Sequence, residues 1–256
     1  MRGDGFPTPS QAPGQSPRQA PRAVLLLLLV ALALQLAWQA SRVPARQIQS
    51  PTLPPVPPLA ALQLAALGEP VALSRLTMLY VQGFDDPAGA SIAWRQLDYS
   101  TLAGWLQRVL ELDPRGQSPL LAASMVYGAV SDPARARLML DFVHARFAED
   151  PERRWPWLAH AALVARHTLH DLPLAQRYAR DIRLHTRPGS TPAWARELEI
   201  FILEDMNELD SARALIGGLI SSGQVRDPRE LHWLANRLDQ LNATSQHKRQ
   251  NTPPAP

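Results

Sequence analysis

Apolar residues fill almost every position from Ala23 to Ser41, AVLLLLLVALALQLAWQAS, a run of 19 residues without a charge, bracketed by Arg22 and Arg42. Apolar on all sides, the run lacks the polar stripe of a surface helix. At about 1.5 Å of rise per residue such a helix spans roughly 28 Å, close to the ~30 Å hydrocarbon core of a bilayer. The pattern predicts one transmembrane helix over 23–41. The rival reading is a cleaved secretory signal, which has a short basic region, an apolar run of roughly 7–15 residues and a small-x-small cleavage site. Here 22 residues precede the run, including Pro7, Pro9, Pro13, Pro17 and Pro21, and cleavage after Ala40 puts Trp38 where a small residue is wanted. An uncleaved anchor fits these features better.

From about 71 to 241 the pattern changes: apolar residues recur at helical spacing, with no sustained alternation and no Asn-Gly hairpin signal. The expected helices are Ala72–Gln82, Tyr99–Leu112, Pro119–Val130, Pro133–Ala148, Trp155 or Pro156 to Leu169, Leu172–His185, Pro192–Met206, Leu209–Ser221 and Pro228–Leu241. Four of them start with Ser, Thr or Asp followed by proline, the N-cap and N1 preferences of helix starts. Asp98 is the expected cap of Tyr99–Leu112, and a loop with Gly83, Asp85, Asp86, Pro87 and Gly89 precedes it. Short turns at Ser131-Asp132, His170-Asp171 and Asn207-Glu208 each lead to a helix with an alanine in its first turn: Ala136, Ala175, Ala212. Those alanines lie 39 and 37 residues apart, a period of stacked helical hairpins.

Proline punctuates the flanks. Residues 1–22 are Pro/Gln/Ser/Gly-rich and are expected to be disordered. Residues 42–70 read as a linker whose six prolines between 44 and 58 make a semi-extended spacer. The tail 243–256 is polar and expected to be disordered. The helical domain is therefore placed at 71–242.

Within this pattern the LAGWLQRVLELDP segment, with Leu102, Leu106, Val109 and Pro114, resembles the second-helix half of a tetratricopeptide-type repeat, with Leu102 in the place of the usual alanine. Ala175, Ala179 and Ile182, then Ala212, Ile216 and Leu219, repeat the same spacing. The first helices depart from the family: its Trp, Leu-Gly and Tyr signature is absent in order, and the turns vary in length. The resemblance covers about 100–240. It implies an all-α fold, an α-solenoid of stacked, TPR-like hairpins, serving as a protein-binding scaffold with a concave groove. The layout is also similar to single-pass bacterial membrane proteins with TPR-like domains.

Charge refines this picture. The pI of 9.8 suggests nucleic acid until the charge is mapped. Residues 1–46 hold five Arg and one Asp, leaving 21 of 26 basic and 22 of 23 acidic residues for 47–256. The basicity flanks the apolar run and is not a nucleic-acid footprint. Arg2, Arg18, Arg22 and the amino terminus, offset by Asp4, outweigh Arg42 and Arg46, which favours the N-terminus inside. In a bacterium this places the anchor in the inner membrane and the C-terminal domain in the periplasm. Cysteine is absent, so disulfide and thiol chemistry are excluded.

Three clusters are candidates for chemistry. His160, His167 and His170 share one expected helix, but only Asp171 accompanies them, too few ligands for a metal centre, and no metal or cofactor is expected. Arg153, Arg154, Trp155 and Trp157 combine residue types enriched at binding hot spots and stand as the expected partner contact, against a packing role for the tryptophans. Glu197, Glu199, Glu204, Asp205, Glu208 and Asp210 form an acidic run from which a paired-carboxylate glycan hydrolase is conceivable. Gly217-Gly218 inside a helix suggests close helix–helix approach. No phosphate loop, nucleophile elbow or zinc-protease motif is present. The expectation is a membrane-anchored adaptor without catalytic residues, serving a cell-envelope assembly. The alternatives are a helical envelope enzyme and an accessory subunit docking through Gln35 and Gln39 of its span.

Overall fold

The computed structural model of the chain describes residues 22–41, 53–84 and 97–250. The expectations for 1–21, for the spacer at 42–52, for the loop at 85–96 and for the last six residues lie outside the described residues, as do the side chains of Gln39, Arg42 and Arg46. The described residues are all-helical, without a strand. The chain divides into two compact units, residues 1–49 and 50–256.

The first unit contains helix α1, Arg22–Ser41. Its side chains from Leu26 to Leu29 are each at least 59% exposed, with Trp38 at 64%. Among the described residues no single helix is long and apolar enough to cross a membrane; the apolar stretch within α1 that they supply is Leu26–Trp38.

The second unit begins earlier than residue 71. Leu53 is buried and Val56 packs on the core. The Trp105 indole N–H donates to the Pro54 carbonyl at 2.8 Å, and the Arg108 Nε–H to the Pro57 carbonyl at 3.1 Å. Residues 53–58 are thus a strap laid along the next helices rather than free spacer. Proline suits it because an extended strand without N–H donors needs only its carbonyls satisfied. Gly104 makes room: a Cβ there would lie 2.8 Å from Val56 Cγ2. Helix α2, Leu59–Ala65, follows and turns through Leu67 and Gly68, both at positive φ, into α3, Pro70–Gln82.

Helix α4, Tyr99–Leu112, starts as expected: the Asp98 carboxylate accepts from the Ser100 and Thr101 amides at 3.0 and 3.3 Å. Hydrogen bonds from the Thr101 and Ser100 side chains hold that carboxyl down at about 2. The single helix expected over 119–130 is instead a short α5, Ser118–Leu121, widening into a π-helical stretch, Ala122–Tyr127. Gly128 closes it, where a Cβ would stand 2.8 Å from the Ala123 carbonyl. Asp132 caps α6, Pro133–Phe147, with the same pair of amide bonds that Asp98 makes.

Helix α7, Pro151–His167, begins at Pro151 rather than at Trp155 or Pro156, and tolerates Pro156 near its start. Helix α8, Leu172–His185, is capped by Asp171 through the Leu174 amide. The expected helix 192–206 is broken into α9, Ala193–Arg196, and α10, Leu198–Asp205, and its cap is Pro192; the Thr191 side chain makes no capping bond. Helices α11, Leu209–Ser221, and α12, Pro228–Gln250, complete the unit. The tail is therefore helical through Gln250. Its apolar signal ends at Leu241, but propagation past a formed helix needs no apolar face.

Two apolar cores result. The larger collects side chains from Leu53 to Ile202, with Leu102, Leu106, Leu120, Met139, Leu140, Leu158, Tyr178 and Ile182 fully buried. The smaller joins Ile200, Leu203, Ala212, Ile216, Val225, Leu234 and Leu241. Helix α10 serves both, sending Leu198 and Ile202 one way and Ile200 and Leu203 the other. Gly217 and Gly218 correct one expectation: a Cβ at either meets nothing within 4 Å, so no neighbour requires glycine there.

Candidate functional site

The residues expected to meet a partner are distributed by the fold to different tasks. Arg154 is buried; it donates to the Arg146 carbonyl, to Glu149 at 2.6 Å and to the Pro114 carbonyl at 3.0 Å. Its charge ties three segments together inside the molecule. Arg153 is exposed and paired with Asp150. The half-buried Trp157 donates its indole N–H to Gln117 at 2.5 Å. Trp155, also half-buried, meets Trp194 of α9 edge to face, ring centroids 5.6 Å apart. Trp194 itself is 52% exposed.

The histidines do not converge. Burial lowers the pKa of His160, while His167 and His170 are exposed. His170 holds a positive φ in the turn before α8. Among the described residues no group of three or more His, Asp or Glu side chains could hold a metal ion. His144 instead faces Asp181 at 2.5 Å and stacks on Tyr178, whose hydroxyl donates to Asp141 at 3.0 Å.

Most of the acidic run is spent on ion pairs. Glu199, only 2% exposed, receives Arg180 at 2.9 Å and Arg183 at 2.8 Å, joining α10 to α8. Glu204 binds Arg237, Asp205 binds Arg166, and Asp210 binds Arg213. Glu208 accepts the Ser211 hydroxyl at 2.8 Å, and Glu197 stands apart. It is buried, and its Oε1 has no hydrogen-bond partner. Burial pushes its carboxyl up to about 7, the charge of Glu230 adds to the shift, and Arg196 opposes it.

Beside Glu197 the structure opens a groove of about 1080 Å³. One wall is the end of α8 with Arg183 and Leu184, the loop 186–192, and Ala193 and Arg196 of α9; the other is the turn 222–227 and Glu230 of α12. The first wall is fixed by α7: Glu152 accepts the Arg187 amide at 2.9 Å and the Ser190 hydroxyl with its other oxygen. Gly189 in that loop and Gly223 in the facing turn sit at φ of 89° and 66°, a region that favours glycine. Asp227 caps α12 through the Arg229 amide. Leu184, Pro188, Pro192, Ala193 and Val225 give the groove an apolar side, and Arg183, Arg187, Arg196 and Arg226 outnumber Asp227 and Glu230.

Two donors in this groove are buried without acceptors. Arg196 is 5% exposed, and its Nε has no hydrogen-bond partner; Thr191 is 3% exposed, and its hydroxyl has none either. Burial lowers the pKa of Arg196 against the pull of Glu230, although a guanidinium stays charged in proteins. Burial also raises the pKa of Glu230, Arg196 opposing. A buried donor left without an acceptor costs about 1–3 kcal/mol, more when charged. The same unpaired, buried Nε occurs at Arg146, Arg154 and Arg166, so it is not particular to this groove.

Sequence reasoning passed over this corner. Thr186–Pro192 registers as a Pro-Gly break followed by Thr191 as a helix cap, a bond its hydroxyl does not make, and Glu197 is hidden among acids that all look alike until their partners are known. The one legible signal is the density of arginine on both sides of two glycine turns. No protein-family model, characterised protein or solved structure matches the chain.

Proposed function

We propose that this chain is a membrane-anchored adaptor that holds a protein partner in the groove between α8–α9 and α12. The observation that carries the reading is the groove itself: about 1080 Å³, lined by apolar side chains and by four arginines. Its shape and mixed walls suit a segment of polypeptide. Trp194, on α9 two residues from Arg196, meets Trp155 of α7 edge to face.

A TPR-like arrangement of hairpins is supported by what recurs at 37 residues. Asn207 takes the same left-handed turn conformation as His170, and Ala212 is fully buried as Ala175 is. The bonds Tyr178–Asp141 and His144–Asp181 both join residues 37 apart. The anchor reading rests on helix bounds of Arg22–Ser41. Twenty residues rise about 30 Å, the thickness of a bilayer core. With the N-terminus inside, the domain lies in the periplasm of a bacterium.

The enzyme alternative has one observation in its favour, the Glu197 carboxyl raised to about 7. Glu197, however, is buried and is not among the residues that line the groove, so a glycan there is not in its reach. The test of the adaptor reading is crosslinking in intact membranes followed by purification of the full chain. A partner that co-purifies with the wild-type protein and is depleted by Trp194→Ala is the expected result. Recovery of the chain alone overturns it. A C-terminal reporter fusion reads the orientation of the anchor.

A further inference from the structure

We infer that the bent pair α2–α3 lies against the lipid bilayer, inserting Leu64 and Leu67 at its apex and resting the outer face of α3 on the interface. The inference rests on the anchor reading and adds a second membrane contact, made by the domain itself.

Helix α3 is apolar on two sides. Its buried positions are Ser74, Thr77, Met78 and Val81, of which Met78 and Val81 join the larger core. By helical spacing the opposite side carries Leu76, Leu79 and Tyr80, all exposed. A helix on the surface of a soluble domain turns a polar face to water, yet the one charge on α3 is Arg75. Arg75 and Gln82 edge the outer face, where long side chains reach headgroups. Tyr80 has the apolar ring and polar tip that favour the membrane–water boundary.

The apex is more exposed still. Leu64 at 79% and Leu67 at 91% exceed every other large hydrophobic among the described residues, those of α1 included. Leu67 also holds a positive φ, where a turn in water favours glycine or asparagine. A leucine held there contributes little to the fold and is placed to meet something outside it.

Three observations make that something a bilayer. Residues 47–84 carry two charges, Glu69 and Arg75. Helices α2 and α3 together have the length and composition of a membrane span but are bent by 113°, the form of a pair lying in the interface rather than crossing. Finally, eleven residues, 42–52, separate α1 from Leu53, at most about 40 Å of extended chain. A tether of that length presents the pair to the membrane that holds α1 at an effective concentration on the order of millimolar, so weak insertion is enough.

The chain has no cysteine, so single cysteines in the full chain can each carry a spin label. The protein is reconstituted in vesicles of phosphatidylethanolamine and phosphatidylglycerol. Leu67→Cys and Leu79→Cys are compared with Gly218→Cys, which faces open space on α11, and with Leu28→Cys, which reads the anchor. The measurement is accessibility to oxygen relative to a water-soluble nickel chelate. The expected ratio at 67 and 79 is several-fold above that at 218, with label depths of roughly 5–10 Å. Leu64→Gln with Leu67→Asn keeps a helix former in α2 and suits the left-handed turn, so the melting temperature in micelles should hold while the label at 79 returns to water. A fall in that temperature would mark the two leucines as residues of the fold and overturn the inference, as would lipid contact at 79 that survives their loss. Labels screened from both oxygen and nickel, with spin–spin broadening, would put a second copy on this face and overturn it too. Either label in water with Leu28→Cys in lipid overturns the inference and leaves the anchor. Both labels in lipid with Leu28→Cys in water does the reverse, and all three in water overturns both.

Discussion

The larger and smaller cores of the second unit are built from the same kind of helices but differ in depth. In the larger, α4 to α8 bury whole side chains from several directions, and Leu102, Leu106 and Leu140 have no exposed surface. In the smaller, α11 buries only Ala212 and Ile216, and two of its positions are glycines facing open space. Stability in a stack of helices is a local sum, so the thin end opens first. The groove lies on the seam: Ala195 and Ile182 behind one wall belong to the larger core, and Val225 in the other belongs to the smaller. The groove therefore has one wall on the deeper core and the other on the shallower one.

Truncating equivalent leucines gives the strongest test of that contrast. Leu106→Ala should cost about 3 kcal/mol and lower the whole melt, since its cavity opens inside the larger core. Leu234→Ala, equally buried, should cost about 2 kcal/mol and accelerate amide exchange in α11 and α12 while α4 to α8 stay protected. One shared transition in both variants would contradict the division. Next is the tie between the cores. Glu199→Gln leaves Arg183 facing a neutral group and should cost about 2–3 kcal/mol, below the value for a fully buried pair because Arg180 is half exposed. Denaturant unfolding measures it, and a loss under 0.5 kcal/mol would mean the pair is ornamental.

A gain is expected where the thin end is weakest. Gly217→Ala and Gly218→Ala should each add about 0.5–1 kcal/mol, because glycine's backbone freedom is removed and no neighbour is struck. If either destabilises, the face is in contact with something that a monomer lacks. A further contrast is in pH dependence, whose sign should differ between Asp98 beside the larger core and Glu197 at the seam. Asp98, held at about 2, stabilises the folded state above its unfolded pKa near 4, and this is lost as pH falls toward 2. Glu197, raised to about 7, keeps its proton in the folded state after the unfolded chain has lost it. Stability at the seam therefore falls as pH rises from about 4.5 to about 7 and is level above that. Glu197→Gln should flatten that limb in a pH series of melts and leave the acid limb of Asp98 unchanged.

Helix starts were legible where the capping residue is aspartate: Asp98, Asp132 and Asp227 act through their own local amides, whereas Ser118 lies inside its helix and Thr191 makes no capping bond. Apolar spacing found Tyr99–Leu112 and Leu172–His185 with their bounds intact. What failed to show was everything that depends on a distant partner. The break at Glu197 divides a helix that local preference would continue. The π-helical stretch before Gly128 carries no local mark that separates it from an ordinary helix. Arg154 and Arg196 are both buried arginines with an unpaired Nε, yet Arg154 reaches Pro114 and Glu149 through its terminal nitrogens. No spacing rule distinguishes them, because the difference lies in which carbonyls and carboxylates the tertiary fold brings near. Proline-rich composition misled for the same reason: residues 53–58 look like a linker but find Trp105 and Arg108 waiting.

That strap also sets how mechanical load enters the domain. Tension arriving along the chain from upstream of Leu53 is not delivered to a free helix end. It meets Trp105 and Arg108, whose bonds to Pro54 and Pro57 lie three residues apart along both the strap and α4. Two attachment points pulled along their line share a force, where a single one would peel. The pull is passed to the middle of α4, whose Leu102, Leu106 and Val109 are buried in the larger core, while the groove is lined by residues 183–230. A domain held this way resists being peeled open from its upstream end.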